Sequence, residues 1–262
     1  MCASRNQKVP PARITRIMEI LAQDRKRTNL LRKYEQRALA YLVQKVPSSV
    51  SPDMLTAFGL AGGVTVFLSF ILAAYFDRCY LLIAVAGFAV SWLGDSLDGR
   101  LAYYRNKPRK WYGFALDITI DWISIVLIGC GYIIYTEGNW ELLGYGFIVM
   151  YAWEMIIALM RYKITGQYSI DSGIMGPTEV RIIVSLILIT EAFIPGSVKY
   201  SSMAACVVLL ILNLHDTNRL LKAADLLDNK SRKAEHPDGV QDQRVDDPDY
   251  FGTTGSSDQL KN

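Results

Sequence analysis

The sequence predicts an all-α polytopic membrane protein: six transmembrane helices behind an N-terminal interfacial amphipathic helix. Three observations point to this class. The 262 residues are 51% hydrophobic yet 20% charged, the mixture of a membrane bundle with charged ends and loops. No charge falls between Asp53 and Asp77, so Met54–Phe76 is long enough to cross a bilayer, which takes about 20 residues. The basic residues also crowd onto alternate loops, as the positive-inside rule requires.

The N-terminal region comes first. Residues 1–46 hold eleven Lys or Arg against Glu19, Asp24 and Glu35. Ile14, Ile17, Ile20 and Leu21 recur near helical spacing, as do Leu31, Tyr34, Ala38 and Tyr41. Residues 11–46 therefore read as a partly amphipathic helix. It either lies on the cytoplasmic leaflet with its basic residues near lipid phosphates, or is an ordinary solvated basic helix. No apolar core precedes residue 50, so a cleavable signal peptide is not expected. Pro47, Ser48, Ser49 and Pro52 form the turn into the first span.

The spans follow in order. Met54–Phe76 is the first. Cys79–Gly94 leads into Asp95, and Phe114–Thr136 carries Asp117 and Asp121 near its start. Leu142–Met160 is interrupted by Glu154. Val180–Ile194 has Arg181 near its beginning and Glu191 near its end. Tyr200–Leu214 is the sixth, with His215 and Asp216 at its interfacial end. Three domains follow from this: a basic segment over 1–47, a six-span core over 48–216, and a polar, largely disordered tail over 217–262. Cys2, Cys79, Cys130 and Cys206 lack ligand spacing and read as packing residues.

Charge orients the bundle. The loop after the second span holds Arg100, Arg105, Lys107, Arg109 and Lys110. Arg161 and Lys163 follow the fourth span, and Arg219, Lys222, Lys230, Arg232 and Lys233 follow the sixth. The opposite side offers only Arg78 and Lys199. Both termini, and the stretch from Asp95 to Asp121, are therefore expected at the cytoplasmic face.

That stretch carries the chemistry. A carboxylate in or beside hydrocarbon is unfavourable unless something compensates it. Asp95 and Asp98 are three apart; Gly113, Asp117 and Asp121 follow at intervals of four, so each set shares a helix face. If the two helices pack antiparallel, four carboxylates surround one volume, a ligand set suited to a hard divalent cation. Gly99 and Gly113 beside them let a bulky ligand approach the backbone. Arg105, Lys107, Arg109 and Lys110 either attract an anionic substrate or serve only to fix topology.

The run Asp95-Ser-Leu-Asp98-Gly99-Arg-Leu-Ala102, nine residues after Tyr103, then Gly113-x3-Asp117-x3-Asp121, resembles the signature of the CDP-alcohol phosphotransferase family. The resemblance covers residues 48–215. It departs at Tyr103, where the family pattern has Arg; Arg100 or Arg105 would have to substitute. The resemblance implies an integral-membrane enzyme of phospholipid biosynthesis. Such an enzyme moves a substituted phosphate from a CDP-linked donor to an alcohol hydroxyl and releases CMP.

By the same resemblance, Asp95, Asp98, Asp117 and Asp121 would hold one or two Mg²⁺ or Mn²⁺ ions, and Asp121 would also accept the alcohol proton. Asp98, Gly99, Ala102, Gly113 and Arg105 would contact the nucleotide. Gly176-Pro177-Thr178-Glu179 resembles a Gly-x-x-Glu stretch of the choline and ethanolamine branch. Glu179 would there contact the acceptor, or simply cap a helix start. Arg181 and Glu154 complete the acceptor-side set, with Glu154 expected to face the interior and pair with a polar group such as Arg181.

At least one of donor and acceptor would be a lipid. The donor is either CDP-diacylglycerol or a CDP-choline or CDP-ethanolamine. A homodimer is compatible, no nucleic-acid partner is expected, and a bacterial inner membrane is favoured over endoplasmic reticulum. Two other classes compete: a cation transporter, which predicts acids deep in several spans, and an inactive scaffold of the same fold.

Overall fold

The computed structural model describes residues 32–165 and 177–235, and among them no strand occurs. Among the described residues seven α-helices follow one another: α1 (Arg32–Lys45), α2 (Pro52–Tyr75), α3 (Leu81–Tyr104), α4 (Lys110–Tyr135), α5 (Glu141–Thr165), α6 (Pro177–Phe193) and α7 (Ser197–Glu235). The first of two compact units runs to Ala224; from Asp225 the chain belongs to a second, represented among the described residues by the last turns of α7.

Among the described residues five helical stretches are long and apolar enough to cross a membrane: Pro52–Tyr75, Arg78–Tyr104, Lys110–Tyr135, Gly138–Thr165 and Ser197–Arg232. The expected fifth span lies in α6, whose 17 residues reach about 26 Å at about 1.5 Å per residue. That falls short of a hydrocarbon core of about 30 Å. Their outward surfaces are apolar, with Phe58, Leu68, Ile182, Leu186 and Ile211 all exposed. Such a surface fits lipid rather than water.

Local chemistry sets the ends. Ser51 caps α2, its Oγ accepting the Met54 amide at 3.2 Å, with Pro52 in the first turn. The end of α3 is a Schellman turn. The Lys107 amide donates to the Ala102 carbonyl and the Asn106 amide to that of Tyr103, both at 3.0 Å, with Asn106 left-handed at φ 56°. This turn ends α3 and leads, over residues 105–109, into α4, which carries Asp117 and Asp121.

The turn between α6 and α7 is held by one buried carboxylate, Glu191. It accepts from Tyr135 Oη (2.8 Å), the Gly196 amide (3.0 Å), Ser197 Oγ (3.1 Å) and the Val198 amide (2.8 Å). Gly196 takes φ 82° there, a conformation that favours glycine.

The closest helix packing is between α2 and α3. A Cβ at Gly62 would stand 2.4 Å from the Ser91 amide nitrogen and 2.6 Å from the Gly87 carbonyl oxygen. One at Gly94 would stand 2.5 Å from the Gly59 nitrogen. Small residues let two backbones touch, and in lipid this packing takes the place of a hydrophobic driving force. Around the seam lie two apolar cores. Val66, Phe70, Ala84, Phe88, Tyr132 and Leu188 belong to one; Leu39 and Val43 of α1 join Leu55, Leu97 and Leu101 in the other.

Asp95 and Asp98 lie inside α3, which continues to Tyr104, as their shared helix face requires. One sequence expectation changes here. The last helix runs unbroken to Glu235, well past Leu214. Residues 1–31 and 236–262 lie outside the described residues, with most of the expected N-terminal amphipathic helix and of the tail. Gly176 lies outside them too.

Candidate active site

The Gly59–Gly94 contact fixes the register of the site. Gly94 immediately precedes Asp95, so the seam between α2 and α3 anchors the first carboxylate pair. One turn before Gly59, the buried Thr56 donates its hydroxyl to Asp98 Oδ2 at 2.5 Å. Across the Schellman turn, α4 brings up Asp117 and Asp121 at helical spacing.

Three of the four aspartates converge. One carboxylate oxygen each of Asp95, Asp117 and Asp121 lies within 4.8 Å of the others, and all three residues are half-buried. Ligand oxygens about 2.0–2.6 Å from a hard cation stand at most about 5 Å apart, so the trio fits one such ion. Asp98 is turned toward Thr56 and is not part of that trio, although Asp117 and Asp95 are its electrostatic neighbours.

A cation from a third helix already faces this trio. Arg181 Nη1 of α6 lies 2.8 Å from Asp95 Oδ2, and its Nη2 lies 3.7 Å from Asp121 Oδ1. The guanidinium is mostly sequestered, its side chain 18% exposed. Tyr151 of α5 stands within electrostatic reach of Asp121, Arg181 and Asp95.

The expected Glu154–Arg181 pair does not form, because Arg181 reaches the denser negative charge on α3 and α4. Both Glu154 oxygens are buried and accept no hydrogen bond among the described residues. Its charged neighbours are Asp216 and Arg161, which themselves pair at 3.6 Å. Asp216 is thus buried and faces Arg161 of α5, and His215 beside it is exposed. Asn213, one turn earlier, donates to the Met150 carbonyl at 2.8 Å.

Gly99 and Gly113 are exposed, and a Cβ added at either would meet nothing within 4 Å. Packing does not require glycine there, in contrast to Gly59, Gly62 and Gly94. Ala102 lies one turn beyond Asp98 on α3. Arg105 is turned away from the aspartates: its guanidinium donates to the carbonyls of Val50 and Pro47 (2.7 Å to the latter) and ties the α1–α2 linker to the end of α3. Arg109 pairs with Asp53 and stacks 4.1 Å over the Tyr112 ring. The hydrogen bond to Asp53 moves the Arg109 pKa further up. Glu179 sits in the first turn of α6, two residues before Arg181.

Thr56, Tyr151, Asn213 and Asp216 were not singled out as functional residues from sequence. The available signal was weak: a polar side chain one turn from a glycine, or two polar residues three apart in an apolar helix.

The family model described as CDP-alcohol phosphatidyltransferase matches residues 49–215, more than half of the chain. No curated protein matches by sequence. Among solved structures, a Mycobacterium tuberculosis phosphatidylinositol phosphate synthase with CDP-DAG bound is similar at 17% identity and a TM-score of 0.49, over 72% of this chain and 94% of that one.

Proposed function

Because the chain belongs to the CDP-alcohol phosphatidyltransferase family, integral-membrane transferases of substituted phosphate groups, we propose that the aspartate cluster is the centre of its transfer reaction. In this reading a CDP-linked donor gives its substituted phosphate to an alcohol hydroxyl, and CMP leaves. The observation that carries it is the approach of Asp95, Asp117 and Asp121 to within 4.8 Å.

These residues would hold Mg²⁺ or Mn²⁺, one ion or two, with Asp98 completing the set. Bound there, the metal would supply charge neutralisation for the pyrophosphate. Every other part belongs to the chain. Thr56 fixes the Asp98 carboxylate against α2. Asp121 accepts the alcohol proton, acting through position more than basicity, because a cation beside a carboxylate lowers its proton affinity. The open flanks at Gly99 and Gly113, with Ala102 a turn away, let the nucleotide lie along α3 and α4. Arg181 and Glu179 at the start of α6, with Glu154 of α5, make up the acceptor side. Arg181 supports that placement by tying its own turn of α6 to Asp95.

The basic loops around this end of the bundle support a cytoplasmic active site, where a soluble nucleotide enters and a lipid arrives laterally. The donor is either CDP-diacylglycerol or a CDP-amino alcohol, so the test carries both. Purified protein receives Mg²⁺ or Mn²⁺, each donor in turn, and soluble or lipid alcohols, and labelled CMP is measured. Wild type should release CMP and Asp121→Asn should not, while remaining folded in membranes. An Asp121→Asn protein that releases CMP at the wild-type rate overturns the assignment. Ion flux without any CMP points to a transporter instead.

A further inference from the structure

Arg181 stands where the trio's negative charge is densest. It is one cation shared by carboxylates on two different helices, Asp95 of α3 and Asp121 of α4. The two contacts are unequal. At 2.8 Å the Asp95 contact is a charge-assisted hydrogen bond. At 3.7 Å the Asp121 contact is an ion pair beyond hydrogen-bond reach. The guanidinium therefore holds the cluster together at Asp95 and only leans on Asp121.

Such a fixed charge has a consequence for any divalent ion. Asp95, Asp117 and Asp121 repel one another when no cation is near, and Arg181 relieves that repulsion. When an ion enters, the same guanidinium repels it, in a setting where screening is weak. An anionic nucleotide arriving with the ion offsets the extra positive charge.

We propose that Arg181 is a resident counter-cation that makes divalent-ion binding depend on the nucleotide: it weakens the ion's affinity for the empty cluster and yields that penalty when a pyrophosphate is present. The inference rests on the metal-site reading above and goes beyond it by naming what sets the affinity. Arg181 is then a positioning residue whose charge, rather than any bond to the reacting atoms, orders the binding of metal and donor.

The test reads metal binding, not turnover. Mn²⁺ affinity is measured for full-length protein in detergent, with and without CDP. Wild type should bind Mn²⁺ weakly alone and at least about tenfold more tightly with CDP. Arg181→Gln should bind Mn²⁺ alone at least about tenfold more tightly than wild type, with most of the CDP-dependent gain lost. Arg181→Lys keeps the charge on Asp95 but lacks the fork that reaches Asp121, and should fall between; it carries the test alone if the Gln variant does not fold.

Mn²⁺ affinity in the variants equal to or weaker than wild type overturns the proposal, since an Arg that merely glued helices together would give that result. No Mn²⁺ binding by any form, with or without CDP, overturns the metal-site reading and this inference with it. Wild-type binding that the variants leave unchanged overturns the inference alone.

Discussion

The Thr56 hydroxyl on α2 donates to the Asp98 carboxylate on α3 across 2.5 Å, next to the place where the backbones of Gly59 and Gly94 meet. The hydroxyl is the only polar atom Thr56 brings to the seam, and Val has nearly the same shape. Thr56→Val should therefore leave the helices packed while freeing Asp98 to rotate. A hydrogen bond to a charged group contributes about 1.5–3 kcal/mol. The expected loss in kcat/KM for CMP release is about 10- to 100-fold, with Thr56→Ser close to wild type. Wild-type kinetics in Thr56→Val would show that Asp98 needs no fixing by α2.

The glycines divide into two kinds, and substitution separates them. Gly62→Ala places a methyl group 2.4 Å from a backbone nitrogen of the facing helix, which cannot swing aside. The helices must part, and overpacking of this kind costs about 1–3 kcal/mol. Thermal unfolding in detergent should show the loss. Gly99→Ala meets nothing within 4 Å, so its melting temperature should match wild type. Its KM for the CDP donor should instead rise, by about tenfold, as a methyl group displaces the nucleotide from α3. Equal kinetics in Gly99→Ala would remove the nucleotide from that flank.

What the sequence made legible was whatever depends on residue type along one segment. The uncharged run Met54–Phe76 and the alternation of basic loops identify a helical bundle without reference to neighbours. The spacing of Asp95, Asp98, Gly113, Asp117 and Asp121 also survives intact, because helical periodicity is local. What stayed hidden depends on the rotation of one helix against another. Arg181 was expected to choose Glu154; it faces α3 and α4, and that choice is set by the orientation of α6. The Gly59–Gly94 seam has no hydrophobic period to betray it. The true extent of α7 was masked because its final turns are helical without being apolar.

Glu191 offers a contrast between stability and activity. Its carboxylate, 3% exposed, gathers four donors from α4, the turn and the start of α7. Gln at this position keeps the shape but replaces one acceptor oxygen with a donor, facing two groups that also donate. Glu191→Gln should cost about 2–4 kcal/mol, and Tyr135→Phe, which removes one of the four, about 1–2 kcal/mol. Both are read by unfolding in detergent. Neither residue belongs to the aspartate cluster, so CMP release per folded molecule should stay at the wild-type level. A large kinetic defect with unchanged stability would mean that this turn communicates with the site.

Arg105 separates two meanings of one positive charge. A nucleotide-binding Arg would raise donor KM when removed and leave the fold alone. The observed guanidinium instead spans the Val50 and Pro47 carbonyls and pins the linker that carries α1 into α2. Carbonyls at a turn accept from a planar fork in a way that a single ammonium cannot reproduce. Arg105→Lys should therefore behave as a partial loss despite its unchanged charge. Proteolysis across residues 46–50 should quicken and the melting temperature fall, while donor KM moves less than about threefold. If Arg105→Lys resists protease like wild type and its donor KM rises about tenfold or more, the fork serves the nucleotide and the linker contact is incidental.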